Sequence, residues 1–270
     1  MESNPLISFV IPFFNSASTI QETVDSIFSQ SYTNFDIWIV NDGSTDRDSL
    51  LKLKELAKLP KIKVLHQENA GPSVARNLAI KQSSAKFIVP IDADDLILEH
   101  TISKGLQLFQ EGEKIGVVYG NLAFFGEKNE IKIQEEFDIF KQLLWNQVAV
   151  CALIKRDVFD DVGFYDEFLS KPGLEDWEFW IRVFKNDWGF KKIEEITFKI
   201  RVSNLSRTFQ VANQNLDKIK EYVYKKHIDL LSSNYERLFY EKKMLKETPD
   251  FRIGNFILKP YRWVKKKFKT

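Results

Sequence analysis

A chain of 270 residues with 44% hydrophobic and 29% charged side chains has the make-up of a folded soluble protein, one large domain with or without an appendage, and not of a disordered chain. Its formal net charge of +1 gives no bulk electrostatic case for nucleic-acid binding, although six of its 39 basic side chains fall in residues 259–270, which hold no acid. A single cysteine, Cys151, excludes an intrachain disulfide and a cysteine metal cage and suits a reducing cytoplasm; the start MESNPLISF does not read as a signal peptide, and no window approaches the roughly 18 uninterrupted apolar residues of a membrane span.

The first predicted strand is ISFVIPFF, residues 7–14. It is followed by a helix whose face is Ile20, Val24, Ile27 and Phe28, with Thr19 and Glu22 spaced as a capping box. FDIWIV (35–40) gives the second strand, and Leu50, Leu53 and Leu56 the next helix face. IKVLH (62–66) is the third strand, with Val74 and Leu78 marking a helix behind it. KFIVPI (86–91) is the fourth, followed by a helical period at Ile102, Leu106 and Phe109, and IGVVYG (115–120) the fifth. The runs do not alternate apolar with polar, so they read as strands buried on both faces, and strand and helix take turns. The fold class is therefore α/β with a mainly parallel central sheet flanked by helices. Further on, residues 145–156 read as strand, LEDWEFWIRVF (174–184) as helix and ITFKIRV (196–202) as strand. After about Ser206 the chain reads as polar helix, packed through Ile219, Val223, His227 and Leu230 and ending in a basic tail.

In such a sheet, ligands bind beyond the carboxyl ends of the strands. The first strand ends in Phe13-Phe14-Asn15, the second in Asn41-Asp42-Gly43 and the fourth in Asp92-Ala93-Asp94. Three aspartates within four positions, Asp92, Asp94 and Asp95, repel one another unless a cation or donors sit among them. Mg²⁺ and Mn²⁺ take oxygen ligands of this kind, with water and phosphate completing the shell; the alternative is an acidic turn capping a helix, above all at Asp95. In IVNDGSTD (39–46), a carboxylate at a strand end such as Asp42 can accept the N3–H of a uracil and Gly43-Ser44 give a turn with exposed backbone amides, although taken by itself the segment reads as a well-made strand-to-helix turn. Arg76, after Gly71-Pro72, suits Asp92, a nucleotide or a surface ion pair. Glu175 and Asp176 open an aromatic helix, where they favour its dipole whatever else they do.

The order FVIPFFN (9–15), IVNDGSTD, ENAGPSVARN (68–77), DADD (92–95), VGFYDE (162–167) and LEDWEFWIR (174–182) resembles the family 2 glycosyltransferases of the GT-A fold, over about two thirds of the chain. The resemblance implies an inverting transfer of a sugar from a nucleotide-sugar donor, expected to be a UDP-sugar. Pro12, Phe13 and Asp42 would lie around the base with Arg76 nearby. Asp92, with Ala93 beside it, would reach the ribose, and Asp94 would ligand a divalent metal, Mn²⁺ or Mg²⁺, on the diphosphate. Asp176 would be the general base and Glu175 its assistant. The expected catalytic domain is 1–205, and 206–270 a helical extension.

Two family features are absent. A late histidine is replaced at about Ser203 in KIRVSNLSR, leaving Arg201, Ser206 or Arg207 as substitutes, and the QxxRW element of processive synthases is missing. Transfer of one sugar or a few is therefore expected over polymer extrusion. The tail FRIGNFILKPYRWVKKKFKT mixes aromatic and basic residues as interfacial segments do. It points either to an anionic membrane surface carrying a lipid-linked acceptor or to a solvated terminus. The expected setting is the cytoplasm, including the inner face of the plasma membrane, with a surface glycan or its lipid carrier as acceptor and no nucleic-acid partner. His66, His100 and His227 form no ligand set, and Trp177, Phe179 and Trp180 read as core, with one ring a candidate for stacking on a sugar. The alternatives are a nucleotidyltransferase and a sugar-nucleotide-binding relative without turnover. A dinucleotide oxidoreductase is disfavoured because no GxGxxG follows the first strand.

Overall fold

The computed structural model describes residues 4–203 and 213–234; the expected basic tail and the candidates Ser206 and Arg207 lie outside the described residues. Strands β1 (Ile7–Phe13), β2 (Phe35–Asp42), β3 (Ile62–Gln67) and β4 (Phe87–Pro90) alternate with helices α1 (Ile20–Phe28), α2 (Arg47–Leu56) and α3 (Pro72–Gln82). Then come β5 (Leu96–Ile97), α4 (Thr101–Leu108), β6 (Ile115–Gly126), β7 (Glu130–Lys132), α5 (Ile139–Leu144), β8 (Leu153–Lys155), α6 (Arg156–Val162), α7 (Glu175–Lys185) and β9 (Gly189–Val202). Helices α8 (Asn213–Lys226) and α9 (Ile228–Ser233) follow.

Among the described residues the strands form one sheet in the order β3-β2-β1-β4-β8-β6-β9-β5, with β7 on β6. Strands β1 to β4 are parallel. β8 runs against both β4 and β6, so β6 and its parallel partner β9 point the same way as the first four. β1, β2 and β4 are buried almost throughout because helices cover both faces of the sheet there, whereas Lys63 and His66 of the edge strand β3 are exposed. In β1, Ile7, Phe9, Ile11 and Phe13 enter the core with α1, α2 and α4, while Val10 faces the opposite core with α3, α6 and α7.

Several local expectations need correction. Thr19 makes no side-chain cap; its hydroxyl donates to the Ala93 carbonyl (2.9 Å) and Glu22 pairs with Arg201 (2.7 Å), so long-range partners displace the capping box. On α2, Ser49 joins Leu53 and Leu56 inside and Leu50 turns outward. On α3, the buried residues are Ser73, Ala75, Arg76, Asn77, Ala79 and Ile80, with Val74 and Leu78 only half-buried, because small residues let the helix lie close on β1 and β2. Within 145–156 only β8 is strand. Trp177, Phe179 and Trp180 are at most 1% exposed, since α7 is sandwiched between the sheet and a third core formed with α5 and α8; none of the three rings is open to a sugar. Ile219 and Val223 of α8 complete that third core, and His227 is buried against Glu178 (3.1 Å).

β1 leads to β2 on one side, while the chain returns through β3 to β4 on the other side of β1, so the topological switch point lies between β1 and β4. Their pairing stops at Val10 with Pro90, although β1 continues with β2 as far as Phe13 with Asn41. Val10 directs its carbonyl to Ile91 across this seam (3.2 Å), so the even positions of β1 face β4. Pro12 is the next even position and has no N–H to offer. The seam opens there.

Candidate active site

One wall of the opening is built by the loops after β1 and β2. Asn15, in the left-handed region at φ 49°, accepts the Thr45 amide on Oδ1 (2.9 Å), and its own amide donates to the Ser44 hydroxyl (3.1 Å). Asn41 accepts the Ser44 amide (2.9 Å), so that amide is spent inside the turn and not exposed as its sequence suggested. Asp42 is buried and accepts three N–H groups: Gln67 Nε2 (2.8 Å), Ala70 N (2.8 Å) and Gly71 N (2.9 Å). Gly71 has φ 92°, and a Cβ there would lie 2.5 Å from the Ser170 hydroxyl, so the close approach and the backbone both require glycine. Pro12 is half-buried at the mouth. The Phe13 ring is wholly inside the α1/α2 core, a correction to the expectation that it lies at the base; only its main chain is left for a ligand, and the 46%-exposed aromatic at this edge is Phe14.

The second wall is the acidic segment after β4. Asp92 is 43% exposed and Asp94 half-buried. Burial and the neighbouring Asp92 push the Asp94 carboxyl up to about 6. Asp95 is buried and accepts the Arg201 amide (2.9 Å), so it anchors β9 instead of capping a helix, and burial with its two acidic neighbours raises its carboxyl well above the usual range. The Arg201 guanidinium donates to the Asp94 carbonyl (3.1 Å) and lies 4.4 Å over the Phe125 ring, bringing a fixed positive charge to the acidic segment from the late strand. Ala93 is buried and serves through its carbonyl, the acceptor for Thr19.

Arg76 joins this wall to the third. Its side chain is 2% exposed; one terminal nitrogen donates to Asp92 (2.5 Å) and the other to Glu175. Burial works against its charge, but Asp92 and Glu175 outweigh that and raise its pKa further. Its Nε and the nearby Tyr165 hydroxyl are buried polar atoms without a partner in the described structure. Glu175 and Asp176 open α7 after Gly173 (φ 95°) and Leu174 (φ 61°), two consecutive residues in the left-handed region. Asp176 is buried, accepting Asn146 Nδ2 on one oxygen (2.7 Å) and the Trp177 amide on the other (2.9 Å). Burial first, then Glu175, raises its carboxyl to about 7.

A hard divalent cation typically takes one or two carboxylates and keeps places for water and phosphate. The described residues hold no group of three or more His, Cys, Asp or Glu side chains poised as a cage. What they hold is the partly open Asp92 and Asp94, crowded enough to push Asp94 upward, a donor set that fits a cation shared with a diphosphate.

Of the expected site residues, the structure brings Arg76, Asp92, Glu175 and Asp176 into one network, with Ala93 and Asp94 beside it. Asp42 stands at the N-terminal end of the helix that carries Arg76. Asn146 was missed, because nothing in the sequence of the segment before β8 marks it. Arg201 was among the suggested substitutes for the late histidine, and it lies against the acidic segment.

Residues 8–163 match the family described as "Glycosyl transferase family 2". An uncharacterized glycosyltransferase of Rickettsia conorii is 30% identical over 216 residues, which are 77% of this chain and 35% of that protein. The glycosyltransferase GlyG of Streptococcus pneumoniae is 34% identical over 182 residues, 59% of this chain and 60% of GlyG. This chain thus spans about a third of the length of the Rickettsia protein. Among solved structures, S. aureus TarS in complex with UDP-GlcNAc superposes with a TM-score of 0.64 at 19% identity, covering 76% of this chain and 60% of that one. TarS in complex with UDP gives 0.61 at 18% identity, with 83% and 74% covered. At such identities the likeness is one of fold, and the α/β sheet is of the GT-A type that the sequence led one to expect.

Proposed function

The chain belongs to glycosyl transferase family 2, and we propose that it is an inverting, metal-dependent glycosyltransferase moving a sugar from a UDP-sugar to a hydroxyl of a glycan or lipid-linked acceptor. The observation that carries this reading is the Arg76 bridge, which ties Asp92 at the open seam to Glu175 beside Asp176. Donor grip and base thereby share one buried charge network. The TarS complexes with UDP and UDP-GlcNAc support the choice of donor class.

Asp42 keeps a lone pair on Oδ2, which takes a single bond from Gly71, and this suits the N3–H of a uracil next to Pro12 and the Phe13 main chain. Asp92, with Ala93, is assigned to the ribose. Asp94 would hold Mn²⁺ or Mg²⁺, which when bound neutralises the charge gathering on the departing diphosphate. In the transfer, Asp176 takes the proton of the acceptor hydroxyl while that oxygen bonds to the anomeric carbon. The bond from that carbon to the diphosphate oxygen breaks, and its electron pair leaves with UDP. Attack opposite the leaving group inverts the centre. A carboxyl at about 7 is matched to accepting a proton near neutral pH. Glu175, engaged by Arg76, holds the site together and does not act as the base.

Residues 1–205 are assigned as the catalytic domain and 206–270 as an extension whose basic tail reaches an anionic membrane bearing a lipid-linked acceptor. None of the described helices is long and apolar enough to cross a membrane.

The test is incubation of the full chain with radiolabelled UDP-sugars and Mn²⁺ or Mg²⁺, with and without EDTA. Sugar transfer with release of UDP, lost on chelation and in Asp176→Asn, is expected. Release of pyrophosphate would instead indicate a nucleotidyltransferase. Binding without any turnover would leave a sugar-nucleotide-binding protein.

A further inference from the structure

Asn146 lies between α5 and β8, in a stretch that contributes no motif. Its Nδ2 donates to Oδ2 of Asp176 at 2.7 Å, and its Oδ1 accepts from Gln142 Nε2 at 3.2 Å, which fixes which way the amide faces. Gln142 is fully buried and held on every side. Its Nε2 also donates to the Trp177 carbonyl (3.1 Å), its Oε1 accepts the Gln147 amide (2.9 Å), and its own carbonyl accepts the Trp177 indole N–H. A closed circuit therefore runs from the first turn of α7 through Gln142 and Asn146 back to Asp176.

We propose that Asn146 is the positioning residue for Asp176, holding the carboxylate by a donor that carries no charge and has no proton to surrender. The proposal rests on the glycosyltransferase reading above. The other groups that face Asp176 cannot do this work. Glu175, on the same helix, opposes its ionisation. Arg76, from α3, favours it, but its terminal nitrogens are engaged by Asp92 and Glu175. Tyr165 and Cys151, whose pKa values burial raises, stay neutral and offer no charge. The Asn146 amide is the one side-chain donor bonded to the Asp176 carboxylate among the described residues. It favours the ionised form.

Two substitutions separate positioning from packing. Asn146→Ala removes the donor; Asn146→Asp keeps the shape but turns the donor into a second carboxylate. If Asn146 acts by packing, the isosteric Asp variant is the milder. If it holds the carboxylate, Asp is the worse, and the pH at which transfer reaches half its plateau rises in the order parent, Ala, Asp, the first step being about one unit. At neutral pH, kcat falls about fivefold in Asn146→Ala while KM for the UDP-sugar holds, and the loss shrinks at alkaline pH. The same order is expected in the carboxyl ¹³C titration of aspartate-labelled full chain, with Asp176→Asn identifying the resonance, a readout that needs no turnover. Calorimetric binding of UDP with Mn²⁺, unchanged in both variants, shows that the fold and donor site survive. Unshifted profiles in both variants, in a chain whose transfer Asp176→Asn abolishes, overturn the proposal alone. Transfer unaffected by Asp176→Asn overturns the reading beneath it.

Discussion

Replacing Arg76 by alanine is the most severe single test of the charge network. The guanidinium is 2% exposed and faces two acids of very different setting, Glu175 at 7% and Asp92 at 43% side-chain exposure. Asp92 regains water when its partner goes, so that half of the bridge contributes at most about 1 kcal/mol. Glu175 does not, and an uncompensated buried carboxylate costs about 3 to 5 kcal/mol. With a urea slope of about 3 kcal/mol/M for a domain of this size, the unfolding midpoint of Arg76→Ala is expected about 1 to 2 M below the parent. The decisive comparison uses Glu175→Gln as background. There the stranded charge is absent, and Arg76→Ala should lose only a small part of that stability. Arg76→Lys should not rescue, since an ammonium lacks the planar fork that spans both acids. Urea unfolding followed by circular dichroism measures all five proteins, and equal losses on the two backgrounds would refute this account, because Arg76 would then act through its packing and not through Glu175.

Other predictions concern the same elements. Asp176 keeps its proton up to about 7, so the transfer rate should rise with pH through that value and level off above it; a rate flat from about pH 5.5 to about 8.5 would remove Asp176 as the base. Gly71→Ala should destabilise by about 1 to 3 kcal/mol and weaken UDP binding, since the added Cβ strikes Ser170 and displaces an amide that Asp42 accepts; thermal unfolding with and without UDP reads both effects. Burial tends to raise the Glu178 carboxyl, but the His227 hydrogen bond and the charges of Arg182 and Lys226 prevail and hold it below its ordinary value of 4.5. Its stabilisation is thus complete above that ordinary value and fades as pH falls through the lower folded one. Amide protection in α8 should be lost at acid pH before that in β1, and simultaneous loss of both would show that α8 does not depend on this contact.

The parallel half of the sheet was legible because each strand is a short apolar run ending in polar punctuation, and the chain rule for α/β sheets then puts Asp42 and Asp92 on one edge. Side-chain direction was not legible at Phe13, where the strand alternation that buries Phe9 and Ile11 also turns this ring inward. Nor was the fate of Thr19 and Glu22, whose spacing suits a local cap but whose partners come from the segments around Ala93 and Arg201. Asp95 looked like a helix cap because its pairing with the β9 backbone depends on a contact 106 positions away in sequence. The second half of the sheet mixes strand directions and short elements, so periodicity carries little there, and Asn146 sits in that region with no neighbour in sequence to mark its purpose.

Helix α3 has one further consequence. The amide of Gly71, just ahead of its first residue, secures Asp42, and a turn later its arginine clasps Asp92 and Glu175, so a single helix links the loop after β2 to the first turn of α7. On the function proposed above, a shift of this helix is expected to disturb donor recognition and turnover together. Divergence toward new sugars is then expected to leave α3, Gln142 and Asn146 untouched and to draw its variation from the other residues of the irregular segments between β6 and α7.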